Sequence, residues 1–152
     1  MKKYVFKPYS KIFPDLFERE KERISSHIKH LMIEHVGSTA VPNLGGKGII
    51  DIAIAVDRKE MESVSKRLQE LGYEFRPMYS TPDRFYFVIF LPDPEEETRR
   101  YHVHLTYPEC SEWKEFIGFR DYLRSHPEEA QEYGEIKRKA ALAADQDRKS
   151  VV

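Results

Sequence analysis

The sequence predicts a mixed α/β or α+β fold, in which helices pack over a central β-sheet. Two observations lead to this prediction. Apolar residues recur at helical spacing near both ends of the chain, whereas the middle holds short runs rich in β-branched and aromatic residues. Helical or turn-forming segments separate these runs, which is typical of a mixed sheet. At 152 residues, the chain is long enough for a substantial core, and we take residues 1–152 as a single domain.

The N-terminal half predicts one helix, two strands and a second helix. A stripe of apolar residues runs along the first helix, and Pro14 fits its first turn. The second strand is apolar almost throughout, which indicates an inner strand that is buried on both faces. Gly72 follows the second helix and marks its end. The predicted bounds are 1–10 for an irregular lead-in, 11–31 and 61–71 for the helices, and 32–36 and 48–56 for the strands.

The C-terminal half predicts three strands followed by two helices. The segments RFYFVIFL and YHVHLTY have strong strand character, and two prolines with three consecutive glutamates indicate an exposed loop between them. Ser111 is placed to cap a helix that runs through Leu123. Pro127 opens a last helix, which fades into a polar tail after Leu142. The predicted bounds are 73–78, 84–91 and 101–107 for the strands and 92–100 for the loop.

Composition favours a cytoplasmic protein that contacts no membrane. The 25 Lys and Arg residues nearly balance the 26 Asp and Glu residues, so the chain lacks the basic footprint of a general nucleic-acid binder. The longest apolar run, Phe85–Leu91, is too short to cross a bilayer, and the first ten residues lack the apolar core of a signal peptide. Cys110 is the single cysteine, so no internal disulfide can form, which fits a reducing cytosol.

The segment Ile33–Val56, IEHVGSTAVPNLGGKGIIDIAIAV, contains the first candidate site. Gly37 and Ser38 follow a predicted strand, where backbone amides and a hydroxyl are placed to bind phosphate. Lys47 in the same loop is a candidate to reach an anionic ligand. The alternative is an ordinary turn with a solvated lysine. The loop is not a P-loop, because it lacks the upstream glycine spacing and the Ser or Thr after the lysine.

Asp51 is a carboxylate inside an apolar strand, where an unpaired charge is costly. In nucleotidyl transfer, an aspartate on a strand holds a divalent metal ion that bridges phosphates. That chemistry usually needs a second acid two residues later, on the same face of the strand. Ala53 stands there instead, so the two-carboxylate pattern is broken.

His102 and His104 point to one face of a predicted strand, because they are two residues apart. With Asp51 as third ligand, they form a candidate site for Mg²⁺, Mn²⁺ or Zn²⁺. Two imidazoles and one carboxylate suit Mn²⁺ or Zn²⁺ better than Mg²⁺. Glu34 and His35 are candidates for outer positions around the ligands. The alternative is that the histidines make ordinary hydrogen bonds.

Three arginines are candidates to clamp a triphosphate or a carboxylate. Arg84 begins a predicted strand at the mouth of a loop, and Arg120 and Arg124 lie four residues apart on one helix face. We assign Arg84 and Arg120, with Gly37, Ser38 and Lys47, to nucleotide binding. The alternative for Arg120 is an ion pair with its neighbour Asp121.

The motif HVGSTAVPNLGGKGIIDI closely resembles the signature of the GrpB family. The later YHVHL and FRDYLRSHPEEAQEYGEIKRKAA resemble the His-x-His strand and C-terminal helix motif of that family, in the same order. The family usually has glycine in place of Asn43 and proline in place of Gly48, both in a loop. The resemblance implies a fold similar to the DNA polymerase beta-like nucleotidyltransferases, with Gly37 and Ser38 at the phosphate turn and Asp51 as first metal acid. It also implies that the His102–His104 strand replaces the third acid of that superfamily.

The leading hypothesis is a nucleotidyltransferase-like protein that binds a nucleoside triphosphate and a divalent metal, and transfers a nucleoside monophosphate to a small acceptor. Asp51 is the catalytic metal ligand in this hypothesis. Two alternatives remain: a non-catalytic module of the same fold that binds a nucleotide, another anion or a metal, and a metal-dependent phosphohydrolase. In each case the expected partner is a nucleotide or another anionic small molecule.

Overall fold

A five-stranded mixed β-sheet forms the centre of the part of the chain that the structure describes. The structure is a computed structural model that describes the backbone of residues 6–150 and the side chains of residues 6–144. The predicted α/β class is confirmed. The strands are β1 (Met32–Val36), β2 (Ile50–Ala55), β3 (Glu74–Phe75), β4 (Phe85–Pro92) and β5 (Thr98–Thr106). The α-helices are α1 (Phe13–His27), α2 (Met61–Glu70), α3 (Ser111–Ser125) and α4 (Pro127–Ser150).

The strands are ordered β1-β2-β5-β4-β3 across the sheet. Strands β2 and β5 run parallel, and the other neighbouring pairs are antiparallel. Asp51 of β2 pairs in register with His102 of β5, and Ala53 pairs with His104. This parallel pair therefore brings together two segments that are about fifty residues apart in the chain.

One face of the sheet is closed by α1 and α2 and holds the main core. Alternate residues of each strand point to it, because side chains in a strand alternate between faces. Ile24 of α1 and Leu68 of α2 are fully buried against these strand residues. We call this side the closed face. Its strand residues are Ile33, Ile50, Ile52, Ile54, Phe75, Phe85, Phe87, Tyr101, Val103 and Leu105.

The opposite side, which we call the open face, is only partly covered. Trp113 of α3 packs with Val36, Ala53 and Ala55, above β1 and β2. Over β4 and β5, Tyr86, Arg100, His102 and His104 are partly exposed and Phe90 is 42% exposed, whereas Val88 is buried. The residues of the open face used below are Asp51, Ala53, Tyr86, Phe90, Arg100, His102 and His104.

Two predicted elements in the N-terminal half and centre of the chain are shorter than expected. Helix α1 ends at His27 because Ile28 is extended, and His30 has a positive φ of 64°. The strand predicted over 73–78 is limited to the two residues of β3. Pro77 then begins a 3-10 turn, Pro77–Tyr79, since proline has no amide hydrogen to donate to a neighbouring strand.

The predicted loop over 92–100 is wrong in extent, because β4 continues to Pro92 and β5 already begins at Thr98. Arg99 makes the tight connection possible. Its Nε donates to Asp93 Oδ1 at 2.7 Å and its Nη1 donates to the Gly48 carbonyl at 2.8 Å. The connection is thereby tied to the loop that precedes β2.

The two C-terminal helices differ from the prediction at their ends. Cys110 occupies the N-cap of α3, and no side chain caps that end. Ser111 is therefore the first helical residue rather than the cap. Pro127 opens α4 as predicted, but this helix continues to Ser150 instead of fading after Leu142.

Candidate functional site

Gly37 and Asp51 are in direct contact at the end of β1. Val36 pairs in register with Asp51, so the turn that follows β1 lies beside this carboxylate. Gly37 has φ 76° and ψ −174°, a conformation available essentially only to glycine. A Cβ atom here would lie 2.5 Å from Asp51 Oδ2, well inside van der Waals contact. The glycine therefore serves both the turn and the close approach of the acid.

The turn after Gly37 is a 3-10 segment, Ser38–Ala40, held by a buried chain of hydrogen bonds. Thr39 Oγ1 donates to the Ile49 carbonyl at 3.0 Å. Because the Thr39 hydroxyl hydrogen is used in this bond, Thr39 Oγ1 can only accept from His35. His35 Nε2 therefore donates to Thr39 Oγ1 at 2.9 Å. The neutral Nε2–H tautomer of His35 thereby supports the turn that presents Ser38.

His35 belongs to the closed face rather than to the surroundings of Asp51. Its ring stacks on Phe17 of α1, with centroids 4.7 Å apart, and the residue is 6% exposed. Burial lowers the pKa of His35 to about 4, and the positive charge of Arg124 adds to the effect. Glu34, its neighbour, points to the other face and pairs with Arg120. The structure therefore gives His35 a supporting role in the fold.

Asp51, His102 and His104 come together on the open face and form what we call the Asp51 cluster. Asp51 Oδ1 lies 3.4 Å from His102 Nδ1 and 3.3 Å from His104 Nε2. Burial by itself raises the pKa of the Asp51 carboxyl. Hydrogen bonds and charge from the two histidines outweigh this effect and hold the pKa well below its usual range. The carboxylate is thus ionised and shared by both imidazoles.

Two aromatic residues enclose the cluster without sealing it. The Tyr86 hydroxyl lies 2.8 Å from His102 Nδ1, and the Phe116 ring packs against His104 with centroids 4.8 Å apart. The side chains of Asp51, His102 and His104 remain 25%, 14% and 13% exposed. His104 Nδ1 is buried and has no hydrogen-bond partner among the described residues. A small ligand can therefore reach the cluster from the open face.

The donors of the cluster suit a divalent ion, although they are hydrogen-bonded to one another. No group of three His, Cys, Asp or Glu side chains within residues 6–144 forms a ready-made metal site. However, ligands bonded at about 2.0–2.2 Å to one tetrahedral ion lie roughly 3.3–3.5 Å apart. The two Asp51–histidine separations fall in this range. Asp51, His102 and His104 thus suit a metal ion in donor type, and the two Asp51–histidine separations match those of ligands on one ion.

Ala53, where a second acid would be expected, is fully buried under α3. It lies in the small cluster with Trp113, and the Phe116 and Ile117 side chains pack against that cluster. A carboxylate at this position would be covered by apolar side chains rather than directed at a ligand. The two-acid arrangement is therefore excluded by packing as well as by sequence.

The predicted nucleotide-binding cations lie apart from the Asp51 cluster. Arg84 Nε pairs with Glu112 of α3. Arg120 is buried and pairs with Glu34 at 3.1 Å and Asp121 at 2.9 Å. The predicted ion pair between Arg120 and Asp121 is thus present, together with a bond to the His35 carbonyl at 3.1 Å. Lys47 is exposed in the loop before β2. Arg84 and Arg120 are thus neutralised by acids other than Asp51.

Sequence reasoning missed three polar residues beside the cluster: Tyr86, Arg76 and Arg100. A signal for Tyr86 was present, since alternate residues of RFYFVIFL share one face. Arg100 likewise precedes His102 by two residues, but the predicted loop over 92–100 removed it from the strand. Nothing in the pattern around Arg76 indicates its neighbours, because β3 joins the sheet for only two residues.

The sequence model of the family described as GrpB protein matches residues 3–150. The chain belongs to the GrpB family. The crystal structure of conserved protein GrpB from Enterococcus faecalis is similar, with a TM-score of 0.77 and 29% identity. The alignment covers 91% of this chain and 84% of the Enterococcus chain. The mixed sheet described above is therefore a fold found in a solved GrpB protein.

Two curated relatives show the same family at the level of sequence. UPF0157 protein PA4798 of Pseudomonas aeruginosa is 35% identical over 146 residues, which is 94% of this chain and 59% of the relative. UPF0157 protein BH1888 of Halalkalibacterium halodurans is 36% identical over 137 residues, which is 88% of this chain and 67% of the relative. The chain thus spans about six-tenths of the length of the Pseudomonas protein.

Among the described residues, no helix combines the length and the apolar character that a membrane span requires.

Proposed function

We propose that this GrpB-family chain binds a nucleoside triphosphate together with a divalent metal ion, and transfers a nucleoside monophosphate to a small acceptor. One observation carries the proposal. A single ionised carboxylate, Asp51, lies against the glycine–serine turn and faces two histidines from the neighbouring parallel strand. This arrangement supports a cation site next to a phosphate site on the open face.

The metal part of the proposal is supported by the donor set. Asp51, His102 and His104 would hold the ion, and a mixed carboxylate and imidazole set favours Mn²⁺ or Zn²⁺ over Mg²⁺. Bound there, the ion would neutralise negative charge on a phosphate chain. The residual exposure of the three side chains leaves room for the ligand to complete the coordination.

The phosphate part is supported by the turn that Gly37 begins. Ser38 is partly exposed, and its Oγ lies against Gly46, where a Cβ atom would come within 2.5 Å. Within residues 6–144 the Ser38 hydroxyl makes no hydrogen bond, so it is available to donate to a phosphate oxygen. In the proposed reaction an acceptor hydroxyl attacks the α-phosphorus and loses its proton to solvent, the bond between the α-phosphorus and the α,β-bridging oxygen breaks, and pyrophosphate leaves. The chain contributes positioning and charge, as in other phosphoryl transfers.

Binding of Mn²⁺, followed by electron paramagnetic resonance, tests the metal site directly. We expect wild type to bind Mn²⁺, and Asp51→Asn to weaken binding by about 100-fold or more, because it removes the charged ligand. His104→Gln should weaken binding as well. His126→Gln, at an exposed histidine after α3, is the matched control and should bind like wild type. Equal binding by wild type and Asp51→Asn, or no binding by wild type, would contradict the proposal.

Turnover is tested separately by pyrophosphate release from nucleoside triphosphates with Mn²⁺ and a panel of small hydroxyl acceptors. Release that depends on both Asp51 and an acceptor supports nucleotidyl transfer. Phosphate release without an acceptor would instead indicate a hydrolase. The two activities are therefore distinguished by the product that is released, which is pyrophosphate for nucleotidyl transfer and phosphate for the hydrolase.

A second candidate is a binding module that holds the nucleotide and metal without turnover. The observation that favours it is the burial of Ala53 under Trp113, which removes the second acid of the usual two-metal arrangement. Metal-dependent nucleotide binding with no pyrophosphate release from any acceptor would support this candidate over the enzyme.

A further inference from the structure

Two arginines that the proposed function does not use, Arg76 and Arg100, flank Tyr86 on the open face. Arg100 opposes Phe90 across the β4–β5 pair and shares a face with His102, two residues later. The Arg76 amide donates to the Tyr86 carbonyl at 2.9 Å, which extends the pairing of β3 with β4. Both guanidinium groups act electrostatically on Tyr86, whose hydroxyl contacts His102 of the Asp51 cluster.

Arg100 has no acidic partner, although part of its guanidinium is buried. Its Nε atom is buried without a hydrogen-bond acceptor among the described residues, and Arg100 is absent from the ion pairs within residues 6–144. Its guanidinium carbon lies 5.8 Å from the centre of the Phe90 ring. By contrast, its neighbour Arg99 is bonded to Asp93 through two nitrogens. An unpaired, partly buried cation is costly, so an anion at this position would stabilise it.

Arg76 is only weakly neutralised. Its Nε lies 3.2 Å from Glu74 Oε1 without a hydrogen bond, its Nη2 donates to Glu74 Oε2 at the long distance of 3.5 Å, and the Glu74 side chain is 68% exposed. Such an exposed pair contributes little, because water screens it. The backbone around Arg76 is well held, since Ser80 Oγ donates to the Arg76 carbonyl at 2.8 Å and accepts from the Tyr86 amide at 2.9 Å. The Arg76 backbone is thus held in place, while its guanidinium group keeps capacity to bind an anion.

We propose that Arg76 and Arg100 form a second anion subsite. It binds the phosphate group of the ligand that follows, along the phosphate chain, the one bound at the metal. This inference rests on the proposed function and assigns a second phosphate group of its nucleoside triphosphate to the two arginines. A monophosphate would occupy the Asp51 cluster or the arginines, whereas a phosphate chain occupies both. Planar guanidinium groups suit phosphate, because each can donate two parallel hydrogen bonds.

Tyr86 connects the two subsites. Its hydroxyl contacts His102, and its ring lies 5.8 Å from that of Tyr79 in the turn after β3. The charges of Arg100 and Arg76 both act on the Tyr86 hydroxyl. This hydroxyl is placed to donate a hydrogen bond to an oxygen that bridges the two phosphates.

Calorimetric titration with pyrophosphate and tripolyphosphate in the absence of metal tests the subsite. We expect wild type to bind both, Arg100→Gln to weaken binding by about tenfold or more, and Arg76→Gln to weaken it less. Arg100→Lys should recover part of the loss. Arg19→Gln is the matched control, because Arg19 is exposed on α1 over the closed face. Thermal unfolding verifies that each variant is folded, and Arg100→Lys serves if Arg100→Gln does not fold.

The result that overturns the subsite is tripolyphosphate binding that is absent in wild type or unchanged in Arg100→Gln. Binding of malonate as tight as that of pyrophosphate, with the same dependence on Arg100, would also overturn it, since it would indicate a carboxylate site. Mn²⁺ affinity, measured on the same variants, should change by less than about threefold. Loss of the subsite with intact Mn²⁺ binding at Asp51 would therefore leave the proposed function standing. Phosphate binding that depends on Arg100 without any Mn²⁺ binding would instead contradict the proposed function.

Discussion

The closed face and the open face of the sheet are built from the same strands but differ in chemistry. On the closed face, β2 contributes three fully buried isoleucines, and the histidine that faces it, His35, is buried against Phe17. On the open face, the same strand contributes Asp51, and β5 contributes two histidines with solvent access. Residue type alone therefore does not identify a site. His35 supports the fold because Phe17 of α1 stacks on its buried ring, whereas His102 and His104 keep partial exposure although Phe116 of α3 packs against His104.

The largest expected effect contrasts the two faces at neighbouring positions of β4. Phe87 is fully buried on the closed face, so Phe87→Ala should lower the free energy of unfolding by about 3–5 kcal/mol. Tyr86→Ala, on the open face, should cost less than half as much, because that ring has solvent on one side. Urea denaturation measures both. Equal losses at the two positions would show that the open face is packed as tightly as the closed one.

The second prediction concerns the acid stability of the closed face. His35 has a folded-state pKa of about 4, against 6.5 in the unfolded chain, so the unfolded state binds more protons between these values. The stability contributed by neutral His35 is full above pH 6.5 and is lost as the pH falls towards 4. At about 1.4 kcal/mol per pKa unit, the loss amounts to roughly 3 kcal/mol.

Unfolding free energies measured from pH 7 to pH 4 verify this effect. Replacing His35 with Gln, which can still donate to Thr39, should flatten the dependence of stability on pH by roughly that amount. His126→Gln, at an exposed position, should leave the wild-type slope in place. A slope that survives His35→Gln unchanged would assign the acid sensitivity to other groups.

The third and smallest expected effect tests the contact between Gly37 in the turn and Asp51 on the open face. Gly37→Ala should cost about 1–3 kcal/mol, because alanine strains this backbone conformation. It should also weaken Mn²⁺ binding, since the new Cβ would displace the Asp51 carboxylate. Gly118→Ala is the matched control. It adds a Cβ in open space within α3 and should stabilise the protein by about 0.5–1 kcal/mol.

Thermal unfolding and Mn²⁺ titration of the two glycine variants separate fold from site. If Gly37→Ala keeps wild-type affinity for Mn²⁺, the turn and the metal site are independent, and the coupling inferred here fails. In the double variant Gly37→Ala/Gly118→Ala, restoring glycine at position 37 should restore Mn²⁺ affinity. This result would show that the loss arises at the turn itself.

Most of the secondary structure could be predicted from the sequence, since local pattern determines it. The aromatic and β-branched runs gave β4 and most of β5, and the positions of Pro14 and Pro127 located two helix starts correctly. The errors lie at ends. Ile28 leaves the helix although the apolar stripe continues, and β3 is short because Pro77 cannot pair. Such ends depend on what the neighbouring segments cover.

The sequence by itself determined which residues share a face within one strand, because that alternation is local. It thereby placed His102 with His104. The parallel pairing of β2 with β5, with Asp51 opposite His102, is seen only in the tertiary structure. The register of two strands that are about fifty residues apart depends on how both faces of the sheet are packed. Packing also paired Arg120 with Glu34, buried His35 under α1, and left Arg100 without an acidic partner among the described residues. These outcomes depend on how desolvation and charge are distributed by the assembled layers, and no short stretch of sequence contains that information.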